Sequence, residues 1–261
     1  MSVIQIIAIS LFVYLGSIGS IVGNTIGWYT LGRPLVASFV VGVIMGDLQT
    51  AMIVGIALQI MYMGNVTPGG AVAWDLSYAT YIGTAGALVF GKGMESTQVI
   101  GLAVVFAGIG GLVGQMVWNL SYALNLPLNR LANKYAEAGE TGKMYILNVV
   151  CGQLIGLACR FIPAVILLTT MTAASAQADF ASMIPGWLTT LLSTFGGMMA
   201  ALGMGIIISF LLKKQWQICI FLLGFVLVTY FNLNTMAVAV IATLLAVIYY
   251  VFQIGQKEAR A

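Results

Sequence analysis

Residues Gly46 to Asp75 read GDLQTAMIVGIALQIMYMGNVTPGGAVAWD. The run places glycines, a proline, amides, hydroxyls and two carboxylates inside a chain that is otherwise almost hydrocarbon. A bilayer offers no water to exposed peptide groups. Irregular backbone and ionisable side chains therefore persist there only where protein buries them or a watery cavity receives them. Such a run is expected to face a small polar solute.

Working outward, 61% of the 261 residues are hydrophobic and 7% are charged, against about 25% charged in an ordinary soluble domain. The chain is an integral membrane protein by this measure. Its apolar start has neither the basic opening nor the small-residue cleavage site of a signal peptide and reads as a retained helix. The net charge of +3 is small, and the basic residues fall in short loops, which excludes a nucleic-acid stripe. Cys151, Cys159 and Cys219 have no metal-ligand or CxxC spacing and read as small hydrophobes. With no histidine in the chain, any histidine phosphocarrier, base or ligand must sit on another polypeptide. No cofactor or metal is expected.

Val3 to Val22 is long enough to cross hydrocarbon once, and Gly23 to Gly32, with Trp28 and Tyr29, reads as an interfacial link. Arg33-Pro34 opens the next element, since proline suits a first helical turn. Pro34 to Met45 and Ala51 to Met63 are apolar but each about 20 Å long, too short to span alone. With a turn at Gly46 to Thr50 they form either a re-entrant hairpin or one helix broken near its middle. Asn65 to Gly70 is not regular helix, because Pro68 lacks a donor and restricts Thr67, and Gly69-Gly70 admits unusual backbone angles.

Leu76 to Phe90 is a further apolar segment, and Gly91 to Gln98 a short polar loop. Val99 to Leu126 is a glycine-studded span suited to tight helix packing. Pro127 to Lys143 carries Arg130, Lys134 and Lys143 and is cytoplasmic by the positive-inside rule. Met144 to Ala178 crosses outward, Leu188 to Leu212 returns, and Lys213-Lys214 marks the inside again. Ile218 to Phe231 and Thr235 to Gln253 form a second interrupted pair before a cytoplasmic C-terminus. The expected fold is all-α: a polytopic membrane bundle with interrupted helices or re-entrant hairpins, residues 1–261 forming one integral membrane domain with a cytoplasmic loop at about 127–143.

Several ordered motifs resemble one family. Arg33-Pro34-Leu35-Val36, Gly42, Gly46-Asp47-Leu48-Gln49-Thr50, Gly55 with Gln59, and Gly64-Asn65 before Gly69-Gly70 are followed by Gly196-Gly197-Met198, Gly203-Met204-Gly205, Leu223-Gly224-Phe225 and Phe231-Asn232-Leu233. In this order, and over roughly Val3 to Phe252, they resemble the enzyme IIC subunit of the mannose/fructose/sorbose family of sugar phosphotransferase systems. The resemblance implies a multi-pass subunit of the bacterial inner membrane paired with a second membrane subunit, IID, the heterodimers assembling as a trimer. It implies an elevator-like movement of the sugar, which a IIB domain then phosphorylates at the cytoplasmic face, itself charged through IIA. It places the sugar near the stretch matching Gln59 to Asp75. The mannose and sorbose branches commonly carry glutamate where this chain has Gln59, and an uncharged amide that both donates and accepts suits an N-acetylated hexosamine such as N-acetylgalactosamine.

The candidate substrate-binding residues are Gln59, Asn65, Thr67, Trp74 and Asp75. Asp75 accepts from vicinal hydroxyls beside an aromatic face at Trp74, and the amides of Gln59 and Asn65 suit hydroxyl or acetamido groups. The competing readings give Asp75 to a helix cap or an ion pair with IID, Asp47 to a structural turn, and Arg160 to a carboxylate partner or to the interface by snorkelling; Arg160 is not assigned to the site. No residue of the chain is assigned a catalytic role. Two rivals remain: an ion-coupled secondary transporter using Asp47 and Asp75, and a purely structural or docking membrane protein.

Overall fold

The computed structural model describes residues 1–63, 75–176 and 214–258, with isolated positions between 187 and 212. Every regular element among the described residues is helical. The backbone clusters into two units, Met1–Ile207 and Ile208–Ala261.

In the first unit, α1 (Val3–Leu15) starts at a reciprocal capping box between Ser2 and Gln5. The sequence suggested a crossing as far as Val22, but the helix stops at Leu15. Ser17 and Ser20 turn their hydroxyls back onto the carbonyls of Tyr14 and Leu15, at 2.6 and 2.8 Å, taking acceptors a further turn of helix would have used. At 13 residues, or about 20 Å, α1 is shorter than the hydrocarbon layer. The expected interfacial link is itself helical: α2 (Gly23–Ile26) runs into a π-helical stretch, Gly27–Leu31, and this piece meets α3 (Pro34–Met45) at 78°. The bend falls at Arg33-Pro34, where proline forces its predecessor into extended backbone, φ −82° and ψ 140°.

Of the two arrangements open for the next pair, the structure takes the hairpin. Gly46 ends α3 in the left-handed conformation, φ 79°, which glycine adopts without steric cost. Asp47 then caps α4 (Leu48–Tyr62) by accepting from the Thr50 N–H at 3.2 Å. The turn is therefore only Gly46-Asp47, and Leu48 to Thr50 form the first helical turn instead of a loop. The two arms lie close: a Cβ on Gly42 would come 2.7 Å from that of Ala51, and one on Gly55 2.7 Å from that of Ser38.

α5 (Leu76–Phe90) is the centre of the unit, packed against α3, α4, α6 (Ser96–Glu137) and α8 (Gly152–Ala176). α6 runs unbroken from Ser96 to Glu137. The sequence divided this region at Pro127, but one proline removes one hydrogen bond from a helix of 42 residues and does not end it. At about 63 Å α6 is roughly twice the thickness of a hydrocarbon layer. After a turn at Gly139, α7 (Thr141–Tyr145), a π-helical stretch (Ile146–Cys151) and α8 (Gly152–Ala176) follow as one apolar path. By length and hydropathy Ser96–Glu137 and Thr141–Ser175 can each cross a membrane, and the bent pair at Arg33-Pro34 makes a third candidate.

The second unit holds α9 (Ile218–Thr229) and α10 (Thr235–Glu258). They are separated, as the sequence suggested, around Asn232-Leu233-Asn234. Asn232 has φ 50°, and Asn234 Oδ1 accepts from the Ala237 N–H at 2.8 Å, so the asparagines turn and cap the chain. α10 continues beyond the expected end at Gln253.

Candidate functional site

Asp75 is the N-cap of α5, its Oδ1 accepting from the Tyr78 N–H at 3.1 Å. Its other oxygen, Oδ2, lies 2.8 Å from Nη1 of Arg160 on α8. Both residues are buried, 2% and 3% exposed. The two charged atoms meet by proximity and not along a well-aligned hydrogen bond. Trp118 of α6 lies under the guanidinium, 5.4 Å from ring centroid to Cζ. The Tyr78 hydroxyl donates to the Arg160 carbonyl, three residues before Pro163 interrupts the bonding of α8.

Small residues make this meeting possible. A Cβ on Gly114 of α6 would stand 2.5 Å from Asp75 Cβ and 2.7 Å from Tyr78 Cβ, and one on Gly110 2.7 Å from the Tyr78 carbonyl oxygen. α5 and α6 therefore touch backbone to backbone, and Asp75 is carried to the level of Gly114. At the helical rise that level is about 27 Å from the Ser96 end of α6 and about 35 Å from the Glu137 end. An ion pair thus lies near mid-height of the longest helix. Arg160 is buried with its guanidinium against Asp75, so of its two sequence readings the carboxylate partner holds and snorkelling does not.

A buried ion pair is a weak reason for stability, because desolvating two charges offsets most of their attraction. Among the described residues, the Tyr62 hydroxyl at the end of α4 and Gln115 Oε1, beside Gly114, are also buried without a hydrogen-bond partner. Each such atom costs about 1–3 kcal/mol unless something meets it.

Of the residues expected to hold a solute, Gln59 and Asp75 are described. Gln59 is half-buried on α4, its Oε1 accepting from the Leu35 N–H at 3.3 Å. It thereby meets one of the unpaired donors at the start of α3. Asn65, Thr67 and Trp74 lie outside the described residues. Asp75 fills one of the roles weighed for it, the helix cap, and its ion pair is with this chain's own Arg160 where the sequence reading had a partner on IID. Asp47 caps α4. The sequence reading left out Arg160 and Trp118. A single cation far from either end of a long apolar segment was the available signal for the first; nothing local marked the second.

A helical hairpin, backbone-close helices and an acid–base pair buried among apolar helices have the make-up of a polytopic membrane protein. Residues 3–248 match the family model described as the sorbose-specific IIC component of the phosphotransferase system, and the chain belongs to that family. It is 29% identical over 247 residues to the mannose-specific EIIC component of Escherichia coli strain K12, covering 94% of this chain and 88% of that one. Relatives at 26–27% identity are named for sorbose, fructose and N-acetylgalactosamine. Among solved structures, one described only as a membrane protein matches at TM-score 0.73 and 25% identity, covering 96% of each chain. A complex of the mannose transporter ManYZ with microcin E492 matches at TM-score 0.53 and 26% identity, again over 96% of each chain.

Proposed function

We propose that this membrane permease subunit binds a neutral hexose or N-acetylhexosamine and moves it inward across the bacterial inner membrane. A separate IIB component phosphorylates the sugar at the cytoplasmic face after receiving its phosphoryl group through IIA. The chain supplies no catalytic residue. Its membrane partner is a IID subunit, the heterodimers forming a trimer, and the core carrying the sugar moves in an elevator-like step. Gln59, Asn65, Thr67, Trp74 and Asp75 hold the sugar, and an uncharged Gln59 favours an N-acetylated sugar such as N-acetylgalactosamine.

The observation that carries this reading is the Asp75–Arg160 pair, buried within the helical bundle at the end of the polar run. A carboxylate has about four lone-pair positions and a guanidinium five donors. Tyr78 and the ion pair use few of them, so hydroxyl groups find both acceptors and donors here. The same pairing argues against ion coupling. A carboxylate held 2.8 Å from a guanidinium has its charge already met, and Asp47 is occupied as a helix cap.

The test is equilibrium binding of N-acetylgalactosamine, mannose, fructose and sorbose to the purified IIC–IID complex carrying Gln59→Ala or Asn65→Ala. The expected result is at least tenfold weaker binding of the preferred sugar with the assembly intact. Unchanged affinity in both variants contradicts the site. Failure of the intact complex to bind any of the four sugars contradicts the function.

A further inference from the structure

Arg160 also borders a cleft. The end of α1 and the turn after it, with α6 and α8, border an open cleft of about 230 Å³ lined by Ser17, Trp118, Ser121, Tyr122, Asn125 and Arg160. We infer that this cleft is a second binding position for a neutral monosaccharide, lying between the Asp75–Arg160 pair and the charged end of α6. The inference rests on the sugar-transport reading above and adds a position that reading does not require.

Charge selects the class of ligand first. Arg160 is the one charged residue of the lining, and Asp75 already neutralises it, so the cleft has no net charge with which to hold an ion. Hydrogen-bonding capacity comes next. Arg160 is 3% exposed, and among the described residues the Asp75 carboxylate is the one acidic group it meets, the Trp118 ring lying against its flat face. Most of its five donors are left for whatever enters the cleft it borders.

The other polar groups offer acceptors. The hydroxyls of Ser17 and Ser121 donate to the carbonyls of Tyr14 and Val117, at 2.6 and 2.9 Å, which leaves their lone pairs open. The Asn125 amide nitrogen donates to the Ser121 carbonyl at 2.8 Å, which leaves Oδ1. Donors on one side and acceptors on the other match hydroxyl groups, each of which both gives and accepts.

Shape and size narrow the class further. Trp118 and Tyr122 meet edge to face, with centroids 5.1 Å apart and planes at 79°, giving the apolar wall that the C–H face of a sugar ring packs against. The volume is below the ~300–1,000 Å³ of drug-sized pockets and holds about eight waters' worth of space, a scale suited to one ring. A lipid chain would strand the Arg160 and Asn125 groups without partners, at the cost of burying unmet polar atoms.

Position gives the cleft its use. From Gly114, level with Asp75, to Asn125 is about 16 Å along α6, toward the end that carries Arg130 and Lys134. The positive-inside rule assigns that end to the cytoplasm. A sugar leaving the ion pair would meet the cleft on the side from which phosphorylation comes.

The test is equilibrium binding of radiolabelled N-acetylgalactosamine and mannose to the purified IIC–IID complex in lipid nanodiscs, comparing the intact protein with Asn125→Leu and Tyr122→Ala. Tyr122 is 60% exposed, so its truncation leaves the packing of the bundle in place. The expected result is a two-phase isotherm approaching two sugars per IIC chain, with each variant weakening one phase tenfold or more and sparing the other. A single phase of one sugar per chain, unaltered in both variants, overturns the cleft while leaving the transport reading intact. A lipid chain or IID side chain filling the cleft in a map of the sugar-saturated complex overturns it too. Absence of binding by the intact complex overturns both proposals together.

Discussion

α5 and α9 are both short apolar helices, yet α5 buries fourteen of its fifteen residues and α9 none of its twelve. The difference is in the kind of residue. α5 is built from Ser77, Ala79, Thr80, Gly83, Thr84, Ala85, Gly86 and Ala87 between its larger side chains. Its hydroxyls are used across helices: Ser77 donates to the Val13 carbonyl at 2.6 Å, and Thr84 meets Ser38 at 2.8 Å. α9 reads ICIFLLGFVLVT, branched and aromatic on every side. In lipid no hydrophobic force brings helices together, so close backbone approach and interhelical hydrogen bonds decide which helices pack. α5 is written for protein neighbours. α9 has no such small, hydroxyl-bearing face within its own unit.

The contrast is sharpest at the ion pair. Arg160→Ala leaves Asp75 charged and unpaired in the first unit, and the expected loss is about 3–5 kcal/mol. SDS-induced unfolding in mixed micelles reads it, and the Asp75→Ala/Arg160→Ala double variant should recover part of the loss. A double variant as unstable as the sum of the singles would mean that the two charges do not interact.

Next in size is the same substitution made in both helical environments. Gly114→Ala forces a Cβ to within 2.5 Å of Asp75 Cβ, and overpacking of that kind costs about 1–3 kcal/mol. Gly224→Ala in α9 meets nothing within 4 Å and should leave unfolding within about 0.5 kcal/mol of the original. Equal losses at the two glycines, by the same unfolding measurement, would erase the distinction between the helices.

The smallest effect expected within the first unit is that of Thr84→Val, which removes the Ser38–Thr84 hydrogen bond while keeping the side-chain shape. Loss of one such bond is worth about 1 kcal/mol. A neutral result would mean that close packing alone, without the hydroxyls, holds α5 to α3.

Local chemistry made part of this fold legible. Arg33-Pro34, Gly46-Asp47 and Asn232-Leu233-Asn234 each break or cap a helix through residues that are adjacent in sequence, and the breaks fall where those residues stand. What escaped depended on distant partners or on length. The end of α1 is decided by two serines that take the last carbonyls, a bond that leaves no trace in hydropathy. Pro127 looked like a boundary because proline is a local signal, whereas a helix as long as α6 absorbs one missing bond. The partner of Asp75 lies far along the chain on α8, and only the depth of Arg160 in an apolar segment hinted that it needed one. Gln59 was legible as an amide with bonds to make in an apolar segment, but its bond to the start of α3 depends on how the hairpin closes.

The central claim is that the polar centre of this bundle holds a neutral sugar whose inward movement is made one-way by phosphorylation on partner components. Uptake of labelled sugar into membrane vesicles containing the IIC–IID complex, with phosphoenolpyruvate and the soluble components supplied inside, tests it directly. The account predicts that the accumulated label is sugar phosphate, that uptake stops without phosphoenolpyruvate, and that ionophores do not abolish it. Accumulation of unmodified sugar that collapses when a proton or sodium gradient is dissipated would contradict the account.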